Sequence, residues 1–138
     1  MRTQVTFDCA DPHAQAAFWA QVYGHVVEDH AELVDQLVAA GRMPAEDRIV
    51  LAGRSAFRDV AACSDPAGGE PRLFFQRVPE PKVAKNRVHI DVHVDPTDKD
   101  AEVERLIALG AELVETHRDR GPTTHVLRDP EGNEFCLH

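Results

Sequence analysis

Histidine and carboxylate side chains alternate with apolar ones in residues 88–94. His89, Asp91 and His93 occupy every second position there, and side chains alternate between the two faces of a strand, so all three should share one face. An imidazole beside a carboxylate can act as a general base, because its ordinary pKa is ~6.5 and the carboxylate fixes its tautomer. The pattern predicts either proton chemistry without a metal or a hydrogen-bonded network around a bound ligand.

Other predicted strands carry polar residues on a corresponding face. Near the C-terminal end, Phe135 and Leu137 alternate with Glu134, Cys136 and His138, so each strand has one apolar and one polar side. Such a face can either line a cleft or meet water, as in many antiparallel sheets. The cleft predicted here is lined by Gln4, Thr6, Phe74, Gln76, His89, Asp91, His93, Glu134 and Cys136.

The elements that would position these residues occur twice. A strand followed by Asp-Pro lies at residues 5–12 and again at 88–96. An Asp-Pro-x-Gly turn, typical of a hairpin, lies at residues 65–69 and again at 129–133. Because one copy is too small to bury its own sheet face, two strand-helix-strand-strand-strand (βαβββ) modules should pair. We therefore predict a single α+β domain over residues 1–138.

The module boundaries follow from the same repeat. Module one covers residues 1–80, a Pro- and Lys-rich linker covers 79–85, and module two covers 86–138. Residues 28–58 have no counterpart in module two. We interpret them as an insertion made of a short helix and a hairpin, which serves as a lid or an interface element.

Capping residues predict where the two main helices begin and end. Asp11 is a suitable N-cap, with Pro12 at the first helical position and Gly24 as the stop. In module two the helix should span residues 98–109 and end at Gly110.

Composition excludes several classes of partner. The 15 Lys and Arg residues against 24 Asp and Glu give a net charge of −9, which argues against binding to nucleic acid. No run approaches the ~18 apolar residues of a membrane span. The three cysteines are widely spaced and form no C-x-x-C pair. This pattern predicts no disulfide framework and a cytoplasmic location.

Several stretches together resemble one known superfamily. The two most specific are Lys85-Asn86-Arg87-Val88-His89 and the turn Asp129-Pro130-Glu131-Gly132-Asn133; the others lie at residues 8–19, 74–82 and 109–111. They are similar to the vicinal oxygen chelate superfamily, which contains glyoxalase I, extradiol dioxygenases, and fosfomycin- and bleomycin-resistance proteins. More narrowly, the sequence resembles glyoxalase-like proteins common in actinobacteria, many of which have no assigned reaction.

The resemblance implies two βαβββ modules that form an open, eight-stranded half-barrel. Active members hold a divalent metal through four ligands on the first and last strands of each module. Carried onto this chain, those positions are Gln4, Gln76, His89 and Cys136, with Thr6 as an alternative to Gln4. The family pattern has a carboxylate where Cys136 stands.

This set of donors is poor for Mg²⁺ or Mn²⁺, which favour carboxylates and water. Zn²⁺ could use His89, Cys136 and Glu134, since imidazole, thiolate and carboxylate are all accepted ligands. The cofactor is therefore either one divalent metal (Zn, Mn, Fe or Ni) or none. The residues that would act on a substrate are His89 and Glu134.

Two functions remain open on the sequence. The first is binding of a small organic molecule in the cleft. The second is a metal-dependent lyase, isomerase or dioxygenase reaction. The resemblance also implies a homodimer, because related half-barrels often dimerise.

Overall fold

The computed structural model describes residues 3–119 and 121–138. The chain divides into two compact units, Met1–Pro79 and Glu80–His138, and each contains a four-stranded sheet of mixed direction. The predicted α+β class is confirmed. Within the described residues, no helix has the length and apolar character needed to cross a membrane.

The first unit contains eight of the regular elements and a short 3-10 turn at Ala45–Asp47. They are β1 (Gln4–Cys9), α1 (Pro12–Tyr23), β2 (Val26–Val27), α2 (Ala31–Ala39), β3 (Arg48–Leu51), β4 (Arg54–Phe57), β5 (Val60–Ser64) and β6 (Arg72–Arg77); β3 and β4 form a hairpin of their own, outside the main sheet. The main sheet has the order β1-β6-β5-β2, with β1 parallel to β6 and the other pairs antiparallel.

Helix α1 begins and ends as its capping residues predict. The Asp11 carboxylate accepts the backbone N–H groups of His13 and Ala14, each at 3.1 Å. Gly24 ends the helix with a φ of +67°, a left-handed conformation that favours glycine. The helix packs on β5 and β6, where Trp19 is buried and its ring lies 5.1 Å from that of Phe7.

The insertion predicted at residues 28–58 contains the predicted helix (α2) and hairpin (β3–β4). The hairpin turns through Ala52 and Gly53, with φ values of +47° and +77°, as expected for a two-residue turn with both φ values positive. Asp35 of α2 accepts hydrogen bonds from Arg48 and Ser55 of the hairpin.

Contacts at the end of the hairpin fix the insertion against α1. The imidazole Nε2 of His13, in the first turn of α1, lies 2.8 Å from the Phe57 carbonyl oxygen. Because a carbonyl only accepts, that nitrogen donates. Strand β2, which the sequence analysis did not identify, pairs with β5 and completes the main sheet.

The second unit has the predicted strand-helix-strand-strand-strand order. Its elements are β7 (Ile90–Val92), α3 (Lys99–Ala108), β8 (Glu112–His117), β9 (Thr124–Arg128) and β10 (Glu134–Leu137). The sheet order is β7-β10-β9-β8, with β7 parallel to β10 and the other pairs antiparallel. Leu106 of α3 is buried, as are Leu127, Phe135 and Leu137 of the sheet.

The strand predicted at residues 88–94 is shorter than expected. Only Ile90–Val92 pairs with β10, and Val88 is 85% exposed. The pairing begins at Ile90, whose partner is Phe135, the second residue of β10. His89 therefore lies immediately before the strand.

Candidate functional site

The polar face of β7 and β10 brings three metal-binding types of side chain together. The parallel register sets Asp91 opposite Cys136, and His89 precedes Asp91 by two residues on the same face. The His89 Nδ1 lies 3.1 Å from the Asp91 Oδ1. One ligand atom from each of these residues lies within 4.8 Å of the other two.

The second oxygen of Asp91 faces another histidine. The His138 Nε2 lies 3.8 Å from the Asp91 Oδ2, and its Nδ1 lies 3.2 Å from the Thr124 hydroxyl. The rings of His93 and His138 are 5.2 Å apart. The sequence predicts that His138 lies on this face but assigns it no role. Its contact with Asp91 depends on the pairing of β7 with β10, which the sequence does not give.

The thiol of Cys136 belongs to the same network. Burial raises its pKa above 9.0, and the Asp91 carboxylate, to which the thiol is hydrogen-bonded, raises it further. A thiol with a raised pKa stays protonated at neutral pH and is a poor nucleophile. Cys136 can thus act on a ligand only as a weak donor, unless a cation displaces its proton.

Glu134 is held by residues 82–86, the segment that leads into β7. Its Oε2 accepts the Asn86 backbone N–H at 3.0 Å and lies 3.0 Å from the Lys82 ammonium. The Asn86 hydrogen bond and then the Lys82 contacts hold its pKa at about 2, well below the ordinary 4.5. Because its pKa is so low, this carboxyl is ionised at neutral pH. It therefore has no proton to donate and is a weak base.

A cavity of about 800 Å³ lies over this sheet face in the second unit. That volume is within the range of ligand sites in proteins, about 300–1,000 Å³. The lining combines apolar and charged side chains, among them Val83, Lys85, His89, Val126, Glu134 and Cys136. Asp91 and His93 contact the network but are not among the lining residues.

The cations around the cavity differ in how they are paired. The Lys82 ammonium pairs with Glu134 at 3.0 Å, and the Arg128 guanidinium pairs with Glu112 at 3.3 Å. Lys85 makes no ion pair with any residue in the described ranges, although its charge acts on the Cys136 thiol. Within the part of the chain that the structure describes, Lys85 is thus a lining cation without an ion pair, in a cavity that Glu112, Glu115, Glu131 and Glu134 also line.

The residues predicted from module one lie on the polar face of β1 and β6, but the two amides do not converge. The register sets Arg72 opposite Gln4 and Asp8 opposite Gln76. Gln4 and Gln76 are thus separated by four residues along the strands, about 13 Å at ~3.3 Å per residue. In this register Gln4 and Gln76 are not neighbours, so the structure does not bring these two predicted ligand positions together.

Both amides have partners of their own. The Gln4 Oε1 accepts from Arg72 at 2.6 Å, and the Gln76 Nε2 donates to Asp8 at 2.8 Å. Thr6 accepts from Gln4 at 3.4 Å. The Phe74 ring lies beneath the Arg72 guanidinium, 5.2 Å from its centroid.

Arg72 organises this end of the sheet. Its Nε and Nη2 each donate to a different oxygen of Glu28, both at 2.7 Å. These bonds lower the pKa of Glu28 and raise that of Arg72. The sequence did not single out this pair, because Glu28 lies 44 residues from Arg72 and carries no local motif.

Repeated strand-helix-strand modules, each with one apolar and one polar sheet face, define an α+β protein with two four-stranded sheets. The sequence matches the family model of the glyoxalase-like domain over residues 4–138, and the chain belongs to that family. No protein with a curated description matches it.

Solved structures share this fold at low sequence identity. One is an enzyme of the glyoxalase/bleomycin resistance protein/dioxygenase family from Burkholderia phytofirmans PsJN, with 20% identity, a TM-score of 0.64, and coverage of 97% of this chain and 94% of the other. The fosfomycin resistance protein FosX from Mesorhizobium loti has 15% identity and a TM-score of 0.63, covering 100% and 90%. A FosX variant from Listeria monocytogenes, solved with Mn(II) and 1S,2S-dihydroxypropylphosphonic acid, has 15% identity, a TM-score of 0.63, and coverage of 100% and 88%.

Proposed function

We propose that this protein binds a small organic anion in the cavity of its second unit. The observation that carries the proposal is the cavity itself, which lies over a sheet face bearing His89, Glu134 and Cys136. Val83 and Val126 offer apolar contact, so the ligand should combine an apolar part with a charged group. Ligand sites of this kind have mainly apolar walls and a few polar groups that fix orientation.

Lys85 supports an anionic ligand. Lys82 and Arg128 already form ion pairs with carboxylates, whereas Lys85 forms none with the described residues, although Glu112, Glu115 and Glu131 also line the cavity. A carboxylate, phosphonate or phosphate on the ligand would compensate that charge. A charge-assisted hydrogen bond of this kind is roughly twice as strong as a neutral one.

Binding is favoured over metal-free proton transfer by the state of Glu134. This carboxylate is ionised and anchored to Lys82 and Asn86. We therefore assign Glu134 a role in positioning the segment that lines the cavity. His89 and Cys136 would contact the ligand directly.

Nuclear magnetic resonance titration with a panel of small carboxylates and phosphonates, each with its neutral amide or ester, tests this proposal. We expect anions to perturb the signals of His89, Val126 and Cys136. Lys85→Gln should weaken their binding about tenfold. Arg87→Gln removes an equal charge from a neighbouring residue that does not line the cavity and should leave binding unchanged. Equal binding of neutral analogues, or perturbations confined to other surfaces, would refute the proposal.

A second candidate is a metal-dependent lyase, isomerase or dioxygenase, favoured by the convergence of His89, Asp91 and Cys136. Imidazole, carboxylate and thiolate fit a divalent ion such as Zn²⁺, which when bound would act as a Lewis acid on a substrate oxygen. Elemental analysis of protein purified without chelator separates the candidates. A stoichiometric ion that is lost in His89→Ala supports the enzyme. Unchanged anion binding after exhaustive chelation supports the binding protein.

We also propose that the protein is a cytoplasmic homodimer. The support is the resemblance to dimeric half-barrel proteins and the three free cysteines, which suit a reducing compartment. Light scattering that finds only a 15.3 kDa species would refute the dimer.

A further inference from the structure

We infer that the first unit has a ligand site of its own, which takes a small uncharged molecule with an apolar ring and a carboxamide group. The site is a cavity of about 270 Å³ between the insertion, the start of α1 and one end of β5, here called the insertion cavity. The described residues that line it are all different from those that line the cavity of the second unit. The inference is therefore independent of the anion site proposed above.

The insertion cavity exists because the first sheet is incomplete beside β5. Strand β2 pairs with β5 through its two residues, and one more hydrogen bond joins the Glu28 N–H to the Ala62 carbonyl oxygen at 2.9 Å. The chain then leaves the sheet and begins α2 at Ala31, whereas β5 extends back to Val60. The hairpin β3–β4, a separate sheet, lines the other side of the resulting gap.

The end of β5 offers both kinds of backbone hydrogen-bonding group. The Asp59 carbonyl oxygen accepts from Arg77 of β6 at 2.8 Å, and successive residues of an antiparallel ladder direct their N–H and C=O groups to opposite sides. Val60 therefore directs both groups away from β6, as the Glu28 bond to Ala62 confirms two residues further on. No backbone hydrogen bond to these two groups of Val60 occurs on that side in residues 3–119 and 121–138. A ligand in the cavity can thus bond to them as a neighbouring strand would.

Two histidines that line the cavity each keep one ring nitrogen without a partner. The His13 Nε2 donates to the Phe57 carbonyl oxygen at 2.8 Å. The His30 Nε2 lies 3.0 Å from the Glu28 carboxylate, whose pKa is lowered by its hydrogen bond to Arg72, so this nitrogen also donates. The second nitrogen of a neutral imidazole is then an acceptor. Among the described residues, neither Nδ1 has a hydrogen-bond partner.

The rest of the wall sets the size and charge of the ligand. Charged groups there are already paired: the Arg54 guanidinium with Asp29 at 2.7 Å, and Glu28 with Arg72. A charged ligand would therefore lose its hydration without gaining an unpaired partner. A cavity of roughly 150 Å³ can hold benzene, so this one fits a single ring with a short substituent. The apolar contacts for such a ring are Val27, Leu51, Ala56, Val60 and Ala61.

A primary carboxamide matches the hydrogen-bonding groups of the wall. Its NH₂ group supplies two donors for the acceptors, which are the Val60 carbonyl oxygen and the Nδ1 atoms of His13 and His30. Its carbonyl oxygen accepts from the Val60 N–H. A carboxylate has no donor and an ammonium group has no acceptor. A carboxamide should thus bind here more tightly than the acid or the amine of the same shape.

Nuclear magnetic resonance titration of the protein with benzamide, benzoate and benzylamine tests the inference. We expect benzamide to perturb the backbone signals of Ala56, Val60 and Ala61. Benzoate and benzylamine should bind at these residues at least about tenfold more weakly, because each leaves a hydrogen-bonding group of the wall unpaired. Any effect of benzoate on His89 and Val126 belongs to the cavity of the second unit, so the same spectra distinguish this inference from the proposed function.

Variants of two lining residues locate the binding. Ala56→Leu fills the cavity and should abolish benzamide binding, whereas Ala39→Leu makes the same change at an exposed position of α2 outside the cavity and should not. His30→Phe keeps a ring but removes the acceptor, which should weaken benzamide binding about fivefold, the loss expected for one neutral hydrogen bond. His93→Phe, outside the cavity, should leave it unchanged. Signals that stay in place elsewhere in each spectrum show that the variant is folded.

Two results would overturn the inference. Benzamide that leaves Ala56, Val60 and Ala61 unperturbed, or that binds Ala56→Leu as tightly as the wild type, would show that the insertion cavity is not a ligand site. Equal binding of benzoate or benzylamine at these residues would show that the carboxamide is the wrong class of ligand.

Discussion

Asp65 and Asp129 make the same set of turn contacts in the two halves of the chain. Each carboxylate accepts the backbone N–H groups of the residues two and four positions later: Ala67 and Gly69 for Asp65, and Glu131 and Asn133 for Asp129. Each backbone carbonyl also accepts from the glycine three positions on. The repeated Asp-Pro-x-Gly motif is thus a repeated structure.

The two turns differ in burial, which predicts unequal effects of substitution. Asp129 is 3% exposed and also accepts from the Asn133 side chain. Asp129→Ala should therefore lower the free energy of unfolding by about 2–3 kcal/mol, since charged hydrogen bonds are lost and buried donors are left unpaired. Asp65→Ala should have a smaller effect because its loop is exposed. Denaturant unfolding of both variants checks the order; equal losses would contradict it.

Acid sensitivity should arise in part from Glu134. Its pKa in the folded protein is about 2 against an ordinary 4.5, so the unfolded chain takes up the proton first as pH falls. The stabilisation is complete above pH 4.5 and is lost between 4.5 and about 2. Glu134→Gln should be less stable than the wild type at neutral pH and converge with it in acid. Glu104→Gln, on an exposed position of α3, should show no such convergence in denaturant unfolding across this range.

His125 should make stability depend on pH in a higher range. The ring is 4% exposed, and burial lowers its pKa below 6.5, with Lys99 and Arg118 acting in the same direction and Asp100 opposing them. A Thr116 hydroxyl lies 3.0 Å from its Nδ1. Because the unfolded chain binds the proton more readily, this stabilisation is present above pH 6.5 and is lost as pH falls below it.

The measurement is the free energy of unfolding at about pH 7.5 and about pH 5.5, on either side of the ordinary histidine pKa. The wild type should lose more stability over this interval than His125→Gln. A variant that loses as much would show that another group is responsible.

Gln15 offers a stabilising substitution. Its side chain is 1% exposed, and within residues 3–119 and 121–138 neither amide atom finds a hydrogen-bond partner. A buried polar group without a partner is unfavourable by about 1–3 kcal/mol, so Gln15→Met should raise the free energy of unfolding by about 1 kcal/mol. The same change at exposed Gln36 should have little effect. A less stable Gln15→Met protein would indicate that the amide has a stabilising role.

The features that could be predicted from the sequence are those determined by neighbouring residues. Asp11 and Gly24 bound a helix through contacts within a few residues. Alternation assigned Phe135 and Leu137 to the buried side and Cys136 to the polar side, because side-chain direction in a strand depends only on position.

The features that could not be predicted depend on pairing between distant segments. Alternation puts Gln4 and Gln76 on one face but does not give the register, which separates them along the strands. For the same reason, the sequence did not predict that Asp91 pairs with Cys136 or that Glu134 forms an ion pair with Lys82. Strand β2 has only two residues, too few for alternation to be recognised.

Ala52 is the one described non-glycine residue with a positive φ. Side chains other than asparagine and glycine rarely adopt this conformation, so the tip of the insertion hairpin is slightly strained. Asparagine there would relieve the strain without touching either sheet. Substitutions at this turn could therefore stabilise or destabilise the insertion without changing either sheet. Their effects would show what the insertion contributes to the protein.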